Sequence, residues 1–169
     1  MKQLVATIVL AVTATLGALA CGTTPSSDGS PSELSAACPE PGDRPPPTAR
    51  SVSFAADVLP VFLSSCAFAA CHGSPKGGSN GVFLGAKNGS NDAAAIRASL
   101  LGRAATQAPL PYVTPSDPSR SYLFRKLTEL CGLPCDDGRC GQRMPRGGDP
   151  LDPASLETVR AWITQGAPE

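Results

Sequence analysis

The sequence predicts an all-α domain in which about four short helices are joined by long irregular loops. Apolar side chains in residues 51–169 recur at helical spacing. Polar capping residues, two of them followed by proline, precede the candidate helices. No segment alternates apolar and polar residues as a half-buried strand does. A segment of about 120 residues has the size of one small domain, so we expect a single domain here.

The first predicted helix covers residues 53–66, where the apolar side chains share one arc at helical periodicity. Ser53 or Asp57 can serve as the N-cap, because short polar side chains accept hydrogen bonds from free backbone N–H groups. Pro60 is tolerated if the helix starts near Asp57, since a proline in the first turn removes no hydrogen bond that the helix needs.

The second and third predicted helices are marked by their ends. Residues 92–101 are rich in alanine, with Asp92 as a cap and Gly102 as a stop. Residues 116–118, Ser-Asp-Pro, supply a cap followed by a first-turn proline. They predict a third helix that runs to about Leu130.

The fourth predicted helix repeats this signal and runs to Gln165. Asp152 is its cap, Pro153 lies in its first turn, and Gly166 ends it. Its apolar residues fall on one arc, as expected of a helix that packs on a core. They are Leu156, Val159, Trp162 and Ile163.

Residues 1–20 have the pattern of a signal peptide, with Lys2 before an apolar run and small residues before Cys21. The run is too short and too rich in small residues for a membrane-spanning helix, which needs about 20 apolar residues. Residues 18–21, Ala-Leu-Ala-Cys, resemble a bacterial lipobox, which implies that Cys21 is acylated. Gly22 at the next position implies, by the same resemblance, the outer membrane, facing the periplasm or the cell surface. The alternative is a secreted protein cut nearby, with Cys21 free or in a disulfide.

Residues 21–50 are predicted to be a linker between this lipid anchor and the domain. Seven prolines fall in residues 22–50, and Leu34 is the only bulky apolar side chain there. Such a segment cannot bury a core, so we expect an extended tether. The whole chain balances 14 basic against 14 acidic residues without a basic block, which argues against a nucleic-acid partner.

The first helix ends in a motif of two cysteines and a histidine: Cys66, Cys71 and His72. Two thiols can form thioethers with the vinyl groups of haem, and a histidine next to the second is then held as the proximal iron ligand. The spacing is C-x4-C-H rather than C-x-x-C-H, so two extra residues must bulge between the cysteines. His72 is the only histidine of the chain. The alternative is a disulfide between Cys66 and Cys71.

Met144 is the only methionine besides the initiator, and it lies among the turn-forming residues 143–148. A core methionine is less expected there than a thioether offered to the sixth position of a haem iron, although Met144 could also fill a gap in the core. A His/Met pair raises the reduction potential, which suits electron transfer. Arg143 and Arg146 flank Met144 and could pair with haem carboxylates, although exposed arginines are the commoner case.

Several stretches together resemble a small bacterial mono-haem cytochrome c domain. They are residues 54–59, 66–73 and 115–118 with Ser121 and Leu123, followed by 144–145, 162–163 and 166–167. The similarity spans nearly all of residues 52–167 and departs from the family pattern at the C-x4-C-H spacing. It implies the cytochrome c fold, in which the N- and C-terminal helices pack against each other and the haem edge lies near the surface.

Four further cysteines, Cys38, Cys131, Cys135 and Cys140, are expected to pair in an oxidising compartment. Four cysteines allow three connectivities, which the sequence does not distinguish. At least one bridge within residues 131–140 would tie down the loop that presents Met144. A zinc site is the rival interpretation, but the thiolates lack a second histidine.

These residues favour an electron carrier rather than an enzyme, because a haem with two axial ligands needs no catalytic base or open metal position. Its expected partners are redox proteins of the cell envelope and, through the anchor, the membrane. Two alternatives remain. One is a haem-based sensor or ligand-binding module in which Met144 dissociates, and the other is a disulfide-stabilised interaction lipoprotein without haem.

Overall fold

The computed structural model describes residues 50–128, 130, 132–135, 138 and 140–169. The predicted signal peptide, its acylated Cys21 and nearly all of the linker lie outside the described residues, as do Cys38 and Cys131.

The described backbone is helical and irregular, with two isolated β-bridges and no strand among the described residues. This confirms the all-α class. Within this part of the chain, no helix is both long and apolar enough to cross a bilayer. The described residues form four α-helices, α1 (Leu59–Ser65), α2 (Ala93–Leu100), α3 (Tyr122–Leu127) and α4 (Pro153–Thr164).

A π-helical turn, Phe54–Val58, leads directly into α1, so the first helical segment begins where the sequence predicted. The Ser53 hydroxyl accepts a hydrogen bond from the Ala56 N–H at 3.1 Å, and the Asp57 carboxylate accepts one from the Ser53 N–H at 2.8 Å. These reciprocal bonds satisfy N–H groups that a helix start leaves free. Pro60 lies in the first turn of α1, where its missing N–H is not needed.

The predicted caps of α2 and α4 are confirmed. Asp92 accepts a hydrogen bond from the Ala95 N–H at 3.0 Å. Asp152 accepts two, from the N–H groups of Ala154 and Ser155, at 3.0 and 2.9 Å. The glycine two residues beyond the end of each helix has a positive φ, which ends the helix without strain.

The prediction of one continuous third helix reaching Leu130 was wrong. Asp117 opens only a 3-10 turn, Pro118–Arg120, and α3 follows as a separate helix that ends at Leu127. The break falls at Ser121, which is extended and fully buried. Its hydroxyl accepts a hydrogen bond from the Thr114 N–H at 2.9 Å. Because that bond ties Ser121 to the preceding loop, it competes with the helical conformation.

The first and last helical segments pack against each other through aromatic rings. Trp162 of α4 is fully buried, and its ring centroid lies 5.2 Å from that of Phe54. The side-chain amide of Gln165, at the end of α4, is hydrogen-bonded to the backbone that precedes the first helical segment. It accepts from the Val52 N–H at 2.9 Å and donates to the Arg50 carbonyl at 2.8 Å.

Acid is expected to destabilise the domain by protonating two carboxylates at helix starts, those of Asp57 and Asp152. The hydrogen bond from the Ser53 backbone lowers the pKa of Asp57, with Arg50 adding to the effect, and bonds from Ser155 lower the pKa of Asp152. A folded pKa below the unfolded pKa means that each carboxylate stabilises the fold at neutral pH and stops doing so as pH falls through the folded pKa. Urea unfolding at about pH 6 and about pH 3 measures the loss. Between these two pH values, an Asp57→Asn/Asp152→Asn double variant should lose less free energy of unfolding than wild type does. An equal loss in the two proteins would contradict the prediction.

Candidate functional site

One cavity of about 600 Å³ brings the predicted site residues together. Cys66, Cys71, His72 and Met144 all line it, and so does Arg146. Its volume lies within the range of small-molecule sites, about 300–1,000 Å³. Apolar and aromatic side chains from α1, α3 and the loop before α2 complete the wall: Phe62, Val82, Leu84, Tyr122, Leu123 and Leu127.

Cys66 and Cys71 are both free thiols, so the alternative disulfide between them is not formed. Cys66 caps the end of α1 and is buried, with 7% of its surface exposed, whereas Cys71 is exposed. Burial raises the pKa of Cys66 to about 11, and the neighbouring Cys71 adds to the shift. The two thiols therefore lie on the same cavity in different environments.

The four residues between the cysteines form a turn in which Ala67 is buried and residues 68–70 are exposed. The Cys71 N–H donates to the Phe68 carbonyl at 2.8 Å, and the His72 N–H returns to the Cys66 carbonyl at 3.2 Å. The Phe68 side chain is 45% exposed, with the Lys87 ammonium 4.7 Å from its ring centroid. The longer spacing is thus accommodated by a turn whose ends stay hydrogen-bonded to each other, and Phe68 and Ala70 of this turn also line the cavity.

A backbone carbonyl orients the His72 ring. Its Nδ1 lies 3.1 Å from the carbonyl oxygen of Val82. Since a carbonyl oxygen only accepts hydrogen bonds, Nδ1 carries the proton, and Nε2 of the neutral ring is left with a free electron pair. This is the form in which histidine binds metals, and an outer hydrogen bond of this kind fixes the tautomer and the ring orientation.

The loop of residues 73–84 is built closely around the motif. Its backbone N–H groups donate to the carbonyls of Cys71 and His72, at 2.7 and 2.9 Å. A side chain at Gly78 would overlap the Val82 carbonyl and approach the Cys71 carbonyl oxygen to 2.8 Å. Only glycine fits there. Without a side chain, the backbone at residue 78 can pass close to the Val82 carbonyl, which contacts the histidine ring.

Met144 reaches the cavity from a loop that is tied to α3. Its N–H donates to the Lys126 carbonyl at 2.7 Å, and its peptide bond to Pro145 is cis. The side chain is half-buried at the edge of the core. The loop therefore presents a thioether to the same space as the histidine.

Cys135 and Cys140 form a disulfide with their Cα atoms 5.1 Å apart, which confirms one bridge within residues 131–140. Neither thiol is then free to bind zinc. Among the described residues, no three His, Cys, Asp or Glu side chains are grouped as ligands of a metal ion.

The charged side chains that line the cavity are basic. They are Lys126 and Arg146, and no described carboxylate lines the wall. Arg143, the other arginine beside Met144, is not part of the lining. Lys126 is buried, its ammonium donates to the Cys140 carbonyl at 2.6 Å, and desolvation lowers its pKa. A ligand with anionic groups fits such a wall.

Sequence reasoning missed several residues of this site. Tyr112 and Tyr122, the only tyrosines of the chain, both line the cavity. The Tyr122 hydroxyl donates to Gln107 at 3.2 Å, while the buried Tyr112 hydroxyl has no hydrogen-bond partner among the described residues. The scarcity of tyrosine was a usable signal. For Lys126 and Val82, no comparable signal exists in the sequence.

Comparison with known proteins adds no assignment: no protein family, curated protein or solved structure matches this chain. The class of protein must therefore be argued from the helical fold and from the chemistry of the residues around the cavity.

The two free thiols should react at different rates in the folded protein. Cys71 is exposed, whereas Cys66 is buried and its pKa is raised to about 11. Because the thiolate is the nucleophile, we expect iodoacetamide at about pH 8 to label Cys71 at least roughly tenfold faster. Mass spectrometry of tryptic peptides measures both sites, and unfolding in guanidinium should equalise them. Equal rates in the folded protein would contradict the burial of Cys66.

Proposed function

We propose that this domain binds one covalent haem at Cys66, Cys71 and His72, with Met144 as the second axial ligand, and carries single electrons. One observation supports the proposal above all. Two free thiols, a histidine with an available Nε2 and the only internal methionine line the same cavity. These are the groups that c-type haem attachment requires.

The residues around the cavity divide the work of holding such a cofactor. The thiols would anchor it, His72 is already oriented by Val82, and the apolar wall would keep water from the macrocycle. Arg146 would supply positive charge for its carboxylates. Haem bound there would supply one-electron chemistry at a potential raised by the methionine sulfur. No catalytic base is needed, so we propose a carrier rather than an enzyme.

The helical arrangement supports a cytochrome c-like fold as part of this proposal. The first and last helical segments meet through Phe54 and Trp162, as the family resemblance implies. The motif follows the first of these segments directly, since Cys66 is the C-cap of α1. The loop with Met144 precedes α4 in the chain, and Met144 lines the same cavity as His72, which supports their proposed roles as iron ligands.

Expression in a host that exports proteins and attaches haem tests the proposal. After denaturing electrophoresis of the wild-type chain, we expect Soret absorption to stay with the polypeptide. A Cys66→Ser/Cys71→Ser double variant should lose it. A Cys135→Ser/Cys140→Ser variant is the matched control, because it removes two cysteines outside the motif and should keep haem. Exported wild-type protein without attached haem would refute the proposal.

The location is part of the same proposal. Residues 1–20 would direct export, Cys21 would carry the lipid at the outer membrane, and residues 21–50 would hold the domain away from the bilayer. Redox proteins of the envelope would then be its partners. Labelled palmitate should enter the wild-type chain and not Cys21→Ser, which should move to the soluble envelope fraction. Equal labelling of both would exclude Cys21 as the anchor.

A further inference from the structure

Lys126 joins helix α3 to the loop that carries Met144 by two hydrogen bonds. Its carbonyl accepts the Met144 N–H at 2.7 Å, and its ammonium donates to the Cys140 carbonyl at 2.6 Å. The two bonds hold both ends of the five-residue stretch 140–144. We call residues 140–148 the distal loop.

The ammonium of Lys126 is in an unusual place for a lysine. The residue is only 7% exposed, and none of the described carboxylates forms an ion pair with it. Its other neighbour is an aromatic ring, that of Tyr122, at 5.8 Å from Nζ to the centroid. Burying an ammonium group costs free energy, which its hydrogen bond to the Cys140 carbonyl helps to offset.

We propose that Lys126 is a positioning residue for Met144, holding the distal loop so that the thioether stays at the cavity. This inference rests on the proposed haem function, and it assigns a task to a residue outside the proposed ligands. Without the ammonium, the Cys140 carbonyl loses its donor and the stretch 140–144 is held at one end only. The sulfur would then leave the iron more often.

The test uses the full-length exported holoprotein and three variants. Lys126→Met removes the donor and keeps much of the apolar length. Lys126→Arg keeps a buried positive donor. Lys76→Met removes the same charge from an exposed position and is the matched control. The readouts are carbon monoxide binding by the reduced protein, the sulfur-to-iron charge-transfer band of the oxidised protein, and hydrogen exchange of the Met144 amide.

We expect Lys126→Met to keep covalent haem, to bind carbon monoxide at least roughly tenfold faster than wild type, and to weaken the charge-transfer band. Exchange of the Met144 amide should accelerate by a similar factor, because its bond to the Lys126 carbonyl would then be the only one of the two that still holds the stretch 140–144. Lys126→Arg should restore most of each signal, and Lys76→Met should match wild type.

Two outcomes would overturn the inference. If Lys126→Met shifts only the reduction potential and leaves carbon monoxide binding and amide exchange unchanged, Lys126 acts as a counter-charge for haem carboxylates. If Lys126→Met and a second neutral variant, Lys126→Gln, both lose covalent haem, the role is not confined to the distal loop. Failure of the proposed function itself is a separate result, since it is the absence of attached haem in wild type.

Discussion

Replacing Met144 with alanine is expected to leave haem attached and to open a coordination position at the iron. Attachment should survive because Cys66, Cys71 and His72 are unchanged. The alanine side chain has no sulfur to offer, so the iron should lose its six-coordinate low-spin spectrum. The reduced variant should also bind carbon monoxide at least roughly a hundredfold faster than wild type, since no internal ligand has to leave first.

Met144→Leu separates ligation from packing. If Met144 only fills space at the edge of the core, leucine replaces it at a cost below about 1.5 kcal/mol and the spectrum stays as in wild type. If the sulfur binds iron, leucine and alanine give the same change of spin state. Optical and electron paramagnetic resonance spectra of the oxidised proteins decide between the two. An unchanged spectrum in both variants would remove Met144 from the site.

Carbon monoxide binding by the wild-type protein distinguishes the proposed carrier from the alternative, a haem-based sensor. A carrier keeps both axial ligands, so its reduced form should bind carbon monoxide slowly at neutral pH. Rapid binding by wild type would show that the Met144 sulfur dissociates easily, and it would favour a haem-based sensor or ligand-binding module.

The helix starts could be predicted because their causes are local. Asp92 and Asp152 accept hydrogen bonds from N–H groups two or three residues ahead. The Ser53 hydroxyl accepts from the Ala56 N–H, and Asp57 accepts from the Ser53 N–H, all within about one turn. Such interactions depend on a few neighbouring residues, and they leave a readable pattern in the sequence.

The third helix could not be predicted in full because its break has a distant cause. Ser121 reads as an ordinary helix residue after a proline cap. In the structure its hydroxyl binds the Thr114 N–H, in a loop that precedes the cap. Whether that loop returns to Ser121 is decided by tertiary packing, which the local pattern does not contain.

The residues of the candidate site also divide into those that the local sequence predicts and those that only the fold brings to the site. Cys66, Cys71 and His72 lie within seven residues, and the rarity of histidine and methionine marked His72 and Met144. Lys126 carried no such mark, because a lysine on a short helix is usually exposed. Its buried ammonium contacts a carbonyl 14 residues later, so only the folded chain shows its place in the site.

Trp162→Ala is expected to cause the largest loss of stability of any single change considered. Trp162 is fully buried, packs on Phe54 with ring centroids 5.2 Å apart, and donates from Nε1 to the Pro168 carbonyl at 2.8 Å. Removing a buried tryptophan costs about 3–5 kcal/mol, because the cavity left behind closes only in part. Small domains have a free energy of unfolding of about 5–15 kcal/mol, so the variant should be close to unfolding. The measurement is urea unfolding of the holoprotein, followed by far-UV circular dichroism.

Trp162→Phe is the matched variant for this prediction. It keeps an aromatic ring against Phe54 and loses the N–H donor, which leaves the Pro168 carbonyl without its partner. The expected cost is about 0.5–1.5 kcal/mol, the net contribution of a typical hydrogen bond, because Pro168 is only partly buried. The two variants thus separate ring burial from the hydrogen bond. If Trp162→Ala unfolds within about 1 kcal/mol of wild type, the packing of α4 on the first helical segment does not hold the domain together.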